Sequence, residues 1–108
     1  MNVKHFIEER ILVFEIVEEL DHHTCEIIRR RADYEIQRFM PRKVIFDFNR
    51  VVFMDSAGIG LVIGRYKTVT ALGGSLEMIN VSSKLRRVFE MSGILNIIPI
   101  SDITEKIS

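Results

Sequence analysis

The sequence predicts an α/β fold: an opening β-hairpin, then alternating βαβ units around a mixed, mostly parallel sheet with about four helices. Three observations carry that prediction. Ile11-Leu12-Val13-Phe14-Glu15-Ile16-Val17 is a nearly unbroken apolar, β-branched run, the pattern of a strand covered on both faces. From Thr24 the period changes, and Cys25, Ile28, Ala32, Ile36 and Phe39 recur at steps of three and four residues, with Arg29, Arg30, Asp33 and Arg38 mostly between them. The exchange of strand and helix periods then repeats along the chain, which calls for crossover connections and parallel pairing. A length of 108 residues suits one core rather than two, so residues 1–108 are expected to form one domain.

The elements follow in order. Val3 to Ile7 pairs with the first apolar run through a polar Glu8-Glu9-Arg10 turn. The first helix runs from Thr24 and ends near Pro41. Val44-Ile45-Phe46-Asp47-Phe48 is the next buried strand, and the apolar segment from Val51 to Met54 leads into Asp55-Ser56-Ala57-Gly58. The second helix is expected to bury Ile59, Val62, Ile63, Tyr66, Val69 and Leu72, with Gly73-Gly74 as its stop. A strand from Ser75 to Val81 comes next, then a short helix capped by Ser82 or Ser83 that turns Leu85, Val88 and Phe89 inward and ends at Gly93. Ile97-Ile98-Pro99-Ile100 reads as a last edge strand, and the tail after Asp102 as a short helix at most.

Charge and composition narrow the function. Fifteen Lys and Arg balance 15 Asp and Glu, which removes any global attraction to nucleic acid or anionic lipid. Cys25 stands alone, so neither an intramolecular disulfide nor a cysteine zinc site is expected, and a reducing, cytoplasmic setting is the simplest reading. No apolar run approaches the ~18 residues of a membrane span.

The most informative stretch is Phe53-Met54-Asp55-Ser56-Ala57-Gly58-Ile59-Gly60, which places a serine at a glycine-marked helix start. Ser56 reads there as an N-cap or as a phosphoacceptor, because exposed amides and the positive end of the helix dipole tolerate an added anion. Gly58, Gly60 and Gly64 are spaced one residue too long for a dinucleotide loop, and no Walker pattern is present, so no cofactor is expected. Met54 occupies the position where a hydrolase elbow needs its first glycine. His22 and His23 are adjacent and lack further ligands at metal spacing; they read as a solvated start to the first helix. A small acyl- or phosphoryl-transfer enzyme is the competing class, but it needs a base and an orienting group beside Ser56 that the sequence does not supply.

Three segments carry a resemblance: Glu19-Leu20-Asp21-His22-His23-Thr24, the Phe53 to Gly60 motif running on to Gly64-Arg65-Tyr66-Lys67, and Phe89-Glu90-Met91-Ser92-Gly93. Together they resemble the STAS-domain anti-sigma factor antagonists, in particular the sporulation branch. The resemblance implies a STAS-like single domain without catalytic activity, whose unphosphorylated form binds an anti-sigma factor and frees a sporulation sigma factor, sigma F. That anti-sigma factor is also a serine kinase, expected to phosphorylate Ser56, and a PP2C-type phosphatase reverses the modification. The partner surface is expected at Met54, Asp55, Ser56, Gly58 and Gly60, with Asp21 matching the family's acidic residue near the serine. General stress-response antagonists share the architecture and are the alternative. Two positions depart from the family pattern: Ala57 replaces a common second serine, and Glu18 replaces a glycine ahead of Glu-Leu-Asp.

Overall fold

The computed structural model describes residues 1–101, over which four strands alternate with three α-helices. β1 (Asn2–Phe6) and β2 (Ile11–Glu15) form the expected hairpin, closed by a turn in which the Arg10 N–H donates to the Ile7 carbonyl at 3.2 Å. α1 (His22–Phe39), β3 (Lys43–Asp47), α2 (Ser56–Ala71), β4 (Ser75–Ile79) and α3 (Ser83–Ser92) follow, and a 3₁₀ turn covers Ile94–Asn96. The sheet order is β1-β2-β3-β4, antiparallel in the hairpin and parallel from β2 onward.

Strand alternation divides the side chains between two faces. Leu12, Phe14, Val44, Phe46, Leu76 and Met78 join the main core with Cys25, Ile28, Ala32 and Ile36 of α1, Leu61, Val62 and Val69 of α2, and Leu85 and Phe89 of α3. Ile11, Val13, Ile45 and Ile79 form a smaller cluster on the opposite face, flanked by Phe6. That second cluster explains why β2 reads as an unbroken apolar run. Aromatic rings bind the main core: Phe14 meets Phe46 and Phe48 meets Phe89, each pair with centroids 5.4 Å apart. Truncating one such ring to alanine costs about 3–5 kcal/mol.

Helix ends follow backbone chemistry. α1 stops at Met40, whose left-handed conformation (φ 51°) returns its N–H to the Ile36 carbonyl at 2.9 Å just ahead of Pro41. α2 stops at Gly73, which takes φ +85°; a Cβ on Gly74 would fall 3.0 Å from the Pro41 carbonyl oxygen, so glycine there lets the end of α2 rest on the loop that follows α1. Ser82 caps α3 by accepting from the Leu85 N–H at 3.2 Å, and Gly93 ends it at φ +79°.

Several expectations are corrected. In place of about four helices, the described residues hold three α-helices and the 3₁₀ turn; the expected tail helix after Asp102 lies outside the described residues. The last edge strand is reduced to a single parallel bridge between Met78 and Ile100, because Pro99 has no N–H to extend a ladder. α1 begins two residues before Thr24, since Asp21 caps it. α2 is turned away from its expected stripe: Gly58, Leu61, Val62, Arg65 and Val69 are buried, Ile59, Ile63 and Tyr66 only partly, and Leu72 is 43% exposed. Apolar residues encircle most of α2, so periodicity alone does not fix its rotation.

Candidate functional site

β2 and β3 are parallel neighbours, so the segments leaving them emerge at the same edge of the sheet. There they are stitched together: the Leu20 N–H donates to the Phe53 carbonyl and the Asp55 N–H to the Leu20 carbonyl, both at 3.1 Å, around a parallel bridge between Leu20 and Met54. α1 and α2 therefore start side by side, and each starts at an aspartate. Asp21 caps α1 in a reciprocal box, accepting from the Thr24 N–H at 2.9 Å while Thr24 Oγ1 accepts from the Asp21 N–H at 3.2 Å. The Thr24 backbone bond, then its hydroxyl, hold the Asp21 carboxyl below the usual range. Asp55 caps α2 by accepting from the Ala57 N–H at 2.7 Å.

The capping role expected of Ser56 thus belongs to Asp55. Both residue types are good caps, and Asp55 is the one whose backbone is still extended (φ −103°, ψ −170°). Ser56 is the first residue of α2; it is exposed, and among the described residues its hydroxyl has no hydrogen-bond partner. At ~100° per residue, Ser56 stands roughly opposite the centre of the buried face. Its oxygen is free for chemistry that an N-cap oxygen, committed to an amide, is not.

The remaining expected contacts sort into two levels. Met54 is only 8% exposed, drawn under the loop by its bridge to Leu20. Gly58 is buried above it: an added Cβ would lie 2.3 Å from Met54 Cγ and 2.6 Å from Sδ, so this glycine serves the chain's own packing. Gly60 is exposed, and nothing lies within 4 Å of where its Cβ would be. Asp21 and Asp55 are half-buried. Sequence reasoning passed over Val52 and Phe53, 75% and 45% exposed, in the loop directly ahead of Asp55. The available signal was a run of four apolar residues, Val51 to Met54, after Arg50, too short to show a period.

A groove of about 180 Å³ separates the first turns of the two helices, lined by His22, Cys25, Glu26, Arg29, Ala57, Gly60 and Leu61. Burial, then the carboxylates of Asp55 and Asp21, push the Cys25 thiol up to about 11, so it is protonated and unreactive near neutral pH. His22 and His23 are exposed on the first turn of α1. Among the described residues, no three His, Cys, Asp or Glu side chains gather to hold a metal, and no helix is long and apolar enough to cross a membrane.

Residues 4–107 match the STAS domain family. Over 92 residues, 85% of this chain and 79% of its relative, the sequence is 36% identical to the anti-sigma F factor antagonist of Paenibacillus polymyxa. The solved structure of the anti-sigma factor antagonist SpoIIAA in its unphosphorylated form is 34% identical and superposes with a TM-score of 0.82, covering 97% of this chain and 89% of that one. The Bacillus cell fate determinant SpoIIAA in its phosphorylated form superposes with a TM-score of 0.75 at 33% identity, covering 97% of this chain and 92% of that one. With the paired, aspartate-capped helix starts and an unengaged serine on the outer side of the second, these similarities place the chain: it belongs to the STAS-domain family, among the anti-sigma factor antagonists.

Proposed function

We propose that this chain is an anti-anti-sigma factor switched by phosphorylation of Ser56. The unphosphorylated form binds an anti-sigma factor that is also a serine kinase and so frees a sporulation sigma factor, sigma F. Phosphorylation ends that binding, and a PP2C-type phosphatase restores it. The observation that carries this reading is the exposed Ser56 hydroxyl at the first position of α2, relieved of capping by Asp55. The similarity to a SpoIIAA whose phosphorylated form has been solved supports it.

The chain supplies the nucleophile and the kinase supplies the rest. Ser56 Oγ attacks the γ-phosphorus of ATP, ADP leaves, and the hydroxyl proton passes to a base of the kinase. The product carries about −1.5 to −2 charges beside Asp55, with Asp21 across the paired loops. The terminus of α2 offsets only about 0.3–1 kcal/mol of that repulsion at an exposed site. A partner surface shaped for a hydroxyl must then desolvate a dianion, which costs several kcal/mol when no cation meets it. Val52, Phe53, Ser56, Gly60 and Asp21 form the contact surface, while Met54 and Gly58 act from beneath as its support. The protein acts in the cytoplasm, without a cofactor and without touching nucleic acid.

Calorimetric titration against the purified anti-sigma F factor tests the switch. The phosphorylated chain should bind at least about 100-fold more weakly than the unmodified one, a difference of roughly 2.7 kcal/mol. Equal affinities contradict it.

A further inference from the structure

The segment that delivers Ser56 is tied to the rest of the domain through a single residue. Between Val51 and the first turn of α2, its backbone hydrogen bonds to another segment among the described residues are the two made with Leu20. The Leu20 N–H donates to the Phe53 carbonyl, and the Leu20 carbonyl accepts from the Asp55 N–H, each at 3.1 Å. Leu20 is fully buried, and a Cβ added to Gly58 would come within 3.3 Å of the Leu20 Cβ, so the first turn of α2 rests on Leu20 as well as on Met54. Where Leu20 stands decides where α2, and with it Ser56, begins.

Leu20 lies between β2 and α1, in a stretch with little backbone support of its own. The Ile16 N–H still donates to the Asp47 carbonyl at 3.1 Å, but the N–H groups of Val17, Glu18 and Glu19 reach no backbone carbonyl among the described residues. One side chain brackets Leu20 instead. Thr24 Oγ1 accepts from the Asp21 N–H at 3.2 Å and donates to the Glu19 carbonyl, the nearest of the oxygens around it. The hydroxyl thus holds the residue before Leu20 and the residue after it. The N-cap of α1 does not need the bond to Glu19, because the Thr24 N–H already donates to Asp21 Oδ1 at 2.9 Å. That bond ties down a carbonyl outside the helix.

We infer that Thr24 is a positioning residue for the phosphoacceptor: by holding Glu19 and Asp21, its hydroxyl fixes Leu20 and, through Leu20, the place where α2 and Ser56 begin. Thr24 lies on α1 and Ser56 on α2, so the start of one helix governs modification of the other. The effect on phosphorylation rests on the proposed switch, whereas the effect on the start of α2 needs no partner. A kinase must set the Ser56 oxygen in line with the γ-phosphorus, and a displacement of about 1 Å at a reacting atom costs on the order of 100-fold in rate.

The test uses the full ¹³C,¹⁵N-labelled chain as wild type, Thr24→Val, Thr24→Ser and Ser82→Ala. Thr24→Val keeps the shape of the side chain and the N-cap amide but lacks the hydroxyl, and Thr24→Ser restores it. Ser82→Ala removes the cap of α3 and serves as a control for lost stability alone. In Thr24→Val the scalar coupling across the bond from the Asp55 N–H to the Leu20 carbonyl should weaken and the amide resonances of Phe53 to Ala57 should shift, while the couplings between β2, β3 and β4 persist. The initial rate of Ser56 phosphorylation by the anti-sigma F factor with ATP should fall about tenfold in kcat/KM. Thr24→Ser should restore both readouts, and Ser82→Ala should change neither. An unchanged coupling with unchanged Phe53 to Ala57 resonances in Thr24→Val overturns the inference. So does loss of folding in that variant, because the hydroxyl would then support the fold at large, and so does an equal fall in rate for Ser82→Ala. A wild-type rate in Thr24→Val with the coupling weakened overturns the link to Ser56. If the wild-type chain itself is not phosphorylated, the proposed switch fails, and the couplings alone decide whether Thr24 sets the start of α2.

Discussion

The starts of α1 and α2 lie side by side, are both capped by aspartate, and differ in how completely they are closed. At α1 the Asp21–Thr24 box engages donors and acceptors in both directions, and the Thr24 hydroxyl also donates to the Glu19 carbonyl. At α2 a single bond from the Ala57 N–H to Asp55 does the capping, and Ser56 and Gly60 behind it are unencumbered. A hydroxyl inside a capping box is spoken for; one placed just after the cap is not. The difference separates Thr24, whose hydroxyl holds structure together, from Ser56, whose hydroxyl is exposed and unbonded among the described residues.

Both caps act on Cys25, and the largest expected effect tests that convergence. A thiol raised from 9.0 to about 11 has a thiolate fraction roughly 100-fold below that of the unfolded chain at pH 8.5. Alkylation by iodoacetamide should therefore be slower by about that factor in the folded protein, and Asp55→Asn should accelerate it by removing one repelling charge. The sign for stability follows, since the folded pKa lies above the unfolded one. The contribution is fully present below pH 9 and is lost as pH rises through about 11. Alkylation at the unfolded rate, with the fold intact by circular dichroism, would remove Cys25 from between the caps.

Glycines at the two levels of α2 should respond with opposite signs. Gly58→Ala forces the Met54 side chain aside and should cost about 1–3 kcal/mol in chemical denaturation. Gly60→Ala meets open space and should gain about 0.5–1 kcal/mol from helix propensity. A stabilised Gly58→Ala would mean that Met54 repacks freely. Between these lie the caps, where Asp21→Ala should cost about 0.5–2 kcal/mol and Asp55→Ala somewhat less, in keeping with the fuller box at α1. The smallest effect belongs to Ser56→Ala, within about 0.5 kcal/mol of wild type, because this serine caps nothing. A melting point well below wild type for Ser56→Ala would return the capping role to Ser56.

Much of the fold is legible in the sequence because pattern and burial agree there. β2 is apolar and buried on both faces from Ile11 to Phe14, and Cys25, Ile28, Ala32 and Ile36 of α1 are all buried as their spacing predicts. The alternation of strands and helices likewise yields the parallel pairs β2–β3 and β3–β4. Legibility ends where two physical solutions suit the same residues. Asp55 and Ser56 are comparable caps, and only the backbone angles choose between them. Ile59, Ile63 and Tyr66 compete with Leu61 and Arg65 for the buried side of α2, and a buried arginine is the less expected choice. Met54, Val52 and Phe53 lie in a loop with no period, so only the bridge to Leu20 reveals that the first is covered and the other two are exposed. Ile97-Ile98-Pro99-Ile100 carries strand residues in too short a run, interrupted by a proline.

The most direct measurement of the central claim is peptide mass mapping after incubation with the anti-sigma F factor and ATP, performed on the wild-type chain, Ser56→Ala and Thr24→Ala. The wild type and Thr24→Ala should each gain one phosphate, carried by the peptide containing Ser56, and Ser56→Ala should gain none while melting with the wild type. Stoichiometric phosphate on Ser56→Ala, at Thr24, Ser82, Ser83 or any other hydroxyl, would contradict the assignment of the open start of α2 as the switch.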